Sequence, residues 1–276
     1  MKTKWILQTN IFKEKAVDEM IECFERLNLP YELVKVIPFT NTLPEGITDY
    51  DGPVLAYGTT TLLKNISASD RFFPGMWFDE DTFKPSVWGP TFGDYWLNKE
   101  SKVTRVDKVL SIWDNPKTPL FIRPNSDFKL FAGDIFYKYD YEKWLEHITN
   151  DEFVNLKLDT QVTISPVKTI LAEWRYIIVD GEVIADSMYR KRGQLYISNE
   201  SVDKSLEATK LACYIACQEW QPASAYTLDI CETHQGFKVI EVNCFNASGY
   251  YACNVLDIVN YASELAEKEW NNKFMA

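Results

Sequence analysis

The chain has 276 residues, 46% of them hydrophobic, and sets 29 Lys and Arg against 40 Asp and Glu for a formal net charge of −11. That length supports a substantial core in one large or two modest domains, and 25% charged residues with 11 Gly and 12 Pro exclude disordered, collagen-like and low-complexity classes. The acidic balance, uncompensated by any Lys- or Arg-rich run, disfavours nucleic acid and acidic membrane surfaces as partners.

In chain order, residues 1–10 carry two lysines and a short apolar run far below the length of a secretory core, and no later run approaches the roughly 18 apolar residues of a membrane span. A soluble, cytoplasmic protein is expected. Trp5 to Leu7 reads as a strand, and residues 13–28 place Val17, Met20, Ile21, Phe24 and Leu27 at helical spacing. Tyr31 to Ile37 and Pro53 to Tyr57 read as further strands, with a helix starting at Gly58. This alternation predicts a small parallel α/β layer within residues 1–112. Residues 70–98 interleave Phe72, Trp77, Phe83, Trp88 and Trp96 with Pro and Gly. They read as a plug between domains or as an aromatic wall for a substrate or sugar.

From about residue 116 the strands become hairpin-like, with Pro116 and Pro119 at the boundary. Two long helices are expected later. One covers roughly 201–220, with Val202, Leu206, Cys213, Ala216 and Trp220 on one side, and the other roughly 255–270. The six cysteines form no CxxC and read as reduced core residues. Two histidines, His147 and His234, leave little room for a histidine zinc site, and HExxH, GxSxG, GxGxxG and GxxxxGK[ST] are absent.

Three segments carry candidate chemistry. In Pro119 to Gly133 an apolar strand ends at Arg123 and opens into a polar loop that holds Lys129 and closes at Gly133. Cations with backbone donors at a strand end suit a polyphosphate, although a turn with two surface cations fits as well. In Ala172 to Lys191, Asp180-Gly181 signals a two-residue turn. Pairing Val179 with Glu182 sets Arg175 opposite Asp186 and Glu173 opposite Met188, with Arg190 on the same surface and Trp174, Tyr176, Ile178 and Val183 on the other. Taken alone, this is a solvated face of ion pairs.

The most informative segment is Tyr226 to Asn243, a hairpin whose turn ends at Gly236. A period of two places Thr227, Asp229 and Cys231 on one face and Phe237, Val239, Glu241 and Asn243 on the facing one, with Asp229 opposite Glu241 to within a residue. Like charges across a ladder repel. A hard divalent cation would offset them, and two carboxylates with the Asn243 amide oxygen suit Mg2+ shared with nucleotide phosphates. An exposed polar hairpin face is the plain alternative. A glycoside-hydrolase carboxylate pair leaves Asn243 and the basic residues unexplained.

In this order the elements resemble the ATP-grasp superfamily across roughly residues 116–252. Leu228-Asp-Ile, Val239-Ile-Glu-Val-Asn243 and Asn246-Ala-Ser-Gly249 are similar to its metal-binding strand pair and following substrate loop. Glu173-Trp-Arg175, Asp180-Gly181 and Met188-Tyr-Arg190-Lys191 resemble the strand pair of the ribosomal-protein and peptide glutamate-ligase branch, and more closely the viral and bacterial branch named for one arginine and two lysines. The chain departs from many relatives in its single loop glycine, Gly133, and in Arg123 where they carry lysine.

The resemblance implies an α+β ATP-grasp fold, with two subdomains at 113–195 and 196–276 sandwiching ATP behind an α/β domain at 1–112. It implies Mg2+ at Asp229, Glu241 and Asn243, and phosphates at Arg123 and Lys129. Val162 to Lys168 would form the adenine hinge through main-chain groups near Ser165 and Val167, with Lys168 and Glu173 also on the nucleotide. Arg175, Arg190 and Lys191 would face the γ-phosphate and acyl substrate, and Asn246, Ser248 and Gly249 the acceptor. The implied reaction is ATP-dependent ligation of a carboxylate to an amine of an amino acid, peptide or protein, through an acylphosphate, with ADP and phosphate released. A phosphotransferase on the same fold and a non-catalytic nucleotide-binding module are the alternatives.

Overall fold

The computed structural model describes residues 1–11, 16–38, 40–128, 130–150 and 156–275. Strands buried on both faces need cover on both sides, and β1 (Lys4–Gln8) and β3 (Val54–Tyr57) have no exposed residue. With β2 (Tyr31–Val34) and the short β4 (Pro74–Gly75) they form an all-parallel sheet in the order β2-β1-β3-β4. Alternation along β1 divides the cover. Trp5 and Leu7 join a core with α1 (Ala16–Leu27) and α6 (Val255–Phe274), while Ile6 joins Leu62 and Ile66 of α2 (Thr60–Ser67). The parallel layer is as expected. The first helix is described from Ala16, the start of its expected span lying partly outside the described residues, and α6 continues to Phe274, beyond the expected 270.

A second, antiparallel sheet has the order β5-β8-β6-β7, from β5 (Lys102–Arg105), β6 (Leu120–Pro124), β7 (Asp134–Phe136) and β8 (Gln161–Pro166). Its own core gathers Val106, Val109, Trp113, Ile122 and Val162 around Tyr141 of α4 (Lys138–Asn150). Because β5 pairs with β8, residues 102–112 sit with this lobe rather than with the first domain as expected.

The third sheet is also antiparallel, in the order β11-β10-β9-β12-β13, with β9 (Ala172–Val179), β10 (Glu182–Lys191), β11 (Gln194–Ser198), β12 (Ala225–Thr233) and β13 (Gly236–Cys244). It unites residues on both sides of the expected division at 195. Asp180 and Gly181 both take positive φ, 51° and 80°, the geometry that makes this turn sequence close β9 onto β10. The helix expected over 201–220 is shorter. Ser205 caps α5 (Leu206–Ala216) by accepting from the Ala208 amide, and the buried stripe is Ala208, Leu211, Ala212 and Ile215. Val202 and Leu206, expected inside, are 81% and 63% exposed. Cys213 and Cys217 are exposed too, whereas the other four cysteines are buried.

The aromatic segment is a plug. Phe83, Trp88 and Phe92 around α3 (Pro85–Phe92), with Trp96, join Ile6 and Ala56 of the parallel sheet to Trp174 and Val239 of the five-stranded sheet in one core. Packing is tight enough that a Cβ on Gly89 would lie 2.6 Å from the Trp96 ring. Gly89→Ala is therefore expected to destabilise the protein by about 1–3 kcal/mol through overpacking; a lowered denaturant midpoint at unchanged slope checks it. Among the described residues, no helix is long and apolar enough to cross a membrane.

Candidate active site

Register across the five-stranded sheet positions the site. Asp229 pairs with Glu241 on β13 and with Arg175 on β9, and Arg175 pairs with Ser187 on β10, so these residues form a line across one face. Arg190, Glu173, Cys231 and Lys238 form the next line towards the β12–β13 turn. The facing of Asp229 and Glu241 is as the sequence suggests; its neighbours differ because of bulges. Shifts after Val183 and after Met188 set Arg175 opposite Ser187 rather than Asp186, and Glu173 opposite Arg190 rather than Met188. Asp186 thereby pairs with Tyr176, on the other surface. A third shift pairs Ile230 with Val239, which turns Phe237 and Val239 away from Glu241 and Asn243. An inserted residue reverses every later facing, which a period of two cannot register.

Two arginines answer the paired carboxylates. Arg175 forks onto Asp229, Nε to Oδ1 at 2.8 Å and Nη2 to Oδ2 at 2.7 Å, while Nη1 donates to the Gly249 carbonyl at 2.9 Å. Burial works against the Arg175 charge, and Asp229 outweighs it, holding the guanidinium protonated well above its ordinary range. Arg123, at the end of β6, reaches from the other lobe to pair with Glu241. A Cβ on Gly133 would come within 2.9 Å of Arg123 Cβ and Phe121 Cζ, so glycine is what allows the loop to close against this arginine. The Asn243 amide nitrogen, turned towards the carboxylates, donates to Glu241 Oε1 at 3.2 Å and Asp127 Oδ1 at 3.1 Å. Asp127 Oδ2 in turn accepts from the Cys244 amide at 2.7 Å.

Aromatic rings roof the pair. Tyr189 and Tyr251 stack at 4.8 Å with an interplanar angle of 5°, and the Arg175 guanidinium lies 5.0 Å from the Tyr251 ring. The Tyr189 hydroxyl donates to Glu173 Oε2 at 2.6 Å, and Arg190 Nε stands 3.6 Å from Glu173 Oε1. Burial nevertheless raises the Glu173 carboxyl, aided by Asp229 and Glu241 and opposed by Tyr189 and Arg190. A carboxyl raised in the folded state binds more protons there than in the unfolded chain, so it favours folding at low pH and loses that contribution as pH rises through its folded value. Glu173→Gln is therefore expected to gain stability relative to wild type as pH increases from about 4.3 towards neutrality; denaturant midpoints of both proteins across that range check it.

The remaining expected residues fall in several places. Lys191 pairs with Ala172 on the opposite face, its Nζ 3.3 Å from Asp203 Oδ1, where Asp203 also accepts from the Tyr196 and Ser198 hydroxyls at 3.0 and 2.8 Å. Ser165 donates to Asn98 Oδ1 at 3.1 Å, whereas Val167 and Lys168 line a cavity of about 280 Å³ beside the β12–β13 turn, Lys168 pairing with Glu100. Asn246 donates to the Ala56 carbonyl at 2.7 Å and accepts from the Trp77 amide at 2.9 Å, and Ser248 donates to the Cys244 carbonyl at 2.7 Å. Those two side chains brace the loop, and Gly249 meets Arg175 through its carbonyl. Lys129 lies outside the described residues.

Sequence reasoning missed Asp127 and Tyr189, and reached Tyr251 only as the end of the Asn246 to Tyr251 segment beside the acceptor. Asp127 stands four residues after Arg123 in the same loop, a position that signalled its neighbourhood. Tyr189 carries no such signal, since it is the bulged residue; Tyr251 sits at a positive φ of 52°.

The side-chain oxygens of Asp229, Glu241 and Asn243 form a set whose chemistry fits Mg2+, although here Asn243 turns its amide nitrogen, not its oxygen, to the carboxylates. Among the described residues no three His, Cys, Asp or Glu side chains are gathered to hold an ion; guanidinium groups stand against both carboxylates instead. The model of the ATP-grasp domain, R2K clade family 3, matches residues 70–261. The chain belongs to this ATP-grasp family.

The ATP-grasp architecture recurs in solved structures along nearly the whole chain. D-alanine–D-alanine ligase from Bacillus anthracis is 14% identical at a TM-score of 0.64, over 99% of this chain and 100% of that one. An ATP-grasp RimK domain protein from Sphaerobacter thermophilus DSM 20745 is 12% identical at 0.54, over 96% of each chain. The ATP-grasp ligase PsnB, complexed with a minimal precursor, is 11% identical at 0.56, over 96% of this chain and 100% of that one. These identities speak for the fold. No curated protein matches.

Proposed function

We propose that this ATP-grasp protein is an ATP-dependent carboxylate–amine ligase. The observation that carries the reading is the Arg175–Asp229–Glu241 line on one sheet met by Arg123 from the other, which gathers cations and oxygen ligands between two lobes. Asp229, Glu241 and Asn243 would hold Mg2+, which when bound neutralises phosphate charge. Arg123, with Lys129, would bind the phosphates of ATP, and main chain near Ser165 and Val167, with Lys168 and Glu173, would bind the nucleoside end. Arg190, on the Asp229 face and 47% exposed along its side chain, would meet the transferred phosphoryl. Arg175 would orient Asp229 and, through the Gly249 carbonyl, the loop that borders the acceptor.

In this reading a substrate carboxylate attacks the γ-phosphoryl group of ATP, and an amine displaces phosphate from the resulting acylphosphate to form an amide. Positioned cations stabilise charge spread over the phosphoryl oxygens, so the reaction calls for no histidine or serine nucleophile. The neighbours, a D-alanine–D-alanine ligase and a ligase complexed with a minimal precursor, support a ligase reading.

The test supplies ATP and Mg2+ with panels of carboxylates and amines and follows ADP release and product mass. ADP release that needs both partners, with an amide product, is expected. Phosphorylation of a hydroxyl with no ligated product would replace the reading by a phosphotransferase, and no turnover alongside nucleotide binding would leave a non-catalytic module.

A further inference from the structure

The outermost strand on one side of the five-stranded sheet is β11, which pairs with β10 alone. Edge strands are ordinarily guarded by charged side chains or proline, because their unpaired main chain invites another strand. Gln194-Leu-Tyr-Ile-Ser198 carries neither, and its Leu195, Tyr196 and Ile197 are 69%, 43% and 49% exposed. The Tyr196 and Ser198 hydroxyls turn to Asp203. Alternation therefore sends Leu195 and Ile197 to the other face, where Leu195 pairs with Arg190.

The charges at the two ends of this strand are opposite. Of the charged residues from Arg190 to Lys204, Arg190 stands 3.6 Å from Glu173, Lys191 3.3 Å from Asp203 and Lys204 3.0 Å from Asp186. Arg192 and Glu200 are exposed and make no ion pair among the described residues. Main-chain contacts hold both in place: the Arg192 amide donates to the Leu171 carbonyl at 2.7 Å, and the Glu200 amide to Ser198 Oγ at 3.2 Å. They lie four residues to either side of Tyr196. An antiparallel copy of β11 centred on Tyr196 thus brings Arg192 against Glu200 of the second copy, and in the same register sets Gln194 opposite Ser198 and Leu195 opposite Ile197. A two-fold axis repeats each of these contacts. We infer that β11 joins a second copy of this chain edge to edge, in an antiparallel homodimer whose two five-stranded sheets become one. Directly opposed residues share a face, so both Asp229 faces lie on one side of the joined sheet. This association goes beyond the ligase reading and does not rest on it.

Sedimentation velocity of the full chain, from micromolar to submillimolar concentration, tests it. Wild type is expected to show a monomer–dimer equilibrium. Reversing the charge at one end sets like charges against each other twice in each dimer, so Arg192→Glu and Glu200→Arg are each expected to weaken association at least about tenfold, or about 1.4 kcal/mol. Leu195→Lys, which puts a charge on the edge itself, is expected to do the same. An equimolar mixture of the Arg192→Glu and Glu200→Arg chains pairs opposite charges at both ends and is expected to associate as wild type does. All three positions are exposed, so each variant should melt with wild type, which separates lost association from lost folding. A wild type that stays monomeric throughout, as it would if the edge served a strand of some other protein, overturns the inference. So does a dimer indifferent to these substitutions, or a mixture that associates no better than its parts.

Discussion

Asp229→Leu is expected to cost about 3–5 kcal/mol of folding stability, the penalty for leaving its buried partner charged and alone. Arg175 and Asp229 are 7% and 1% exposed and share two hydrogen bonds, so water cannot replace the lost carboxylate. Removing both charges should behave differently. Arg175→Met combined with Asp229→Leu exchanges the ion pair for apolar volume and is expected to recover most of the loss, short of the Gly249 carbonyl that Arg175 also serves. Denaturant midpoints of the three proteins make the comparison, and a double variant as unstable as the single would show that the pair does more than neutralise itself.

Glu241→Gln is expected to abolish or strongly reduce the response to nucleotide. A ligand held only by the folded protein stabilises it by about 2.7 kcal/mol at a hundred times its dissociation constant, which for a chain of this size is about 5–10 °C in melting temperature. Wild type should show that rise with Mg2+ and a non-hydrolysable ATP analogue. The amide retains the size of Glu241 but removes the charge that pairs with Arg123 and that would hold Mg2+ in the proposed reading, so turnover should fall by about 10²-fold or more. The unliganded variant should melt close to wild type, because Glu241 is 28% exposed along its side chain and pairs at that exposure contribute little. A full nucleotide shift in the variant would remove Glu241 from the site.

Local chemistry made part of this legible beforehand. The turns at Asp180-Gly181 and at His234-Gln235 fixed their hairpins, and the second set Asp229 against Glu241. What escaped depended on shape beyond the turn. Bulges near Ile184, Tyr189 and Ile240 moved Asp186 and Val239 off the expected face and brought Tyr189 onto Glu173. Lys191 follows Arg190 in sequence, yet strand alternation sends it to Asp203. β5 carried no turn signal, and only its long-range pairing with β8 reveals which lobe owns it. Ser205, as a cap, started α5 later than apolar spacing alone suggested.

The separate core around Tyr141 bears on how the chain folds as it is made. That core is complete within residues 106–164, whereas the core over Trp5 and Leu7 is closed by Val255, Ile258, Val259 and Ala262 of α6. Chains emerge from synthesis amino end first and fold by units. The middle lobe thus has all its partners early, while the Trp5 and Leu7 face of β1, covered on one side by α1, waits for α6 to complete its core. Order of burial here runs against order of synthesis, which leaves β1, rather than the middle lobe, in need of protection from aggregation while the chain is made.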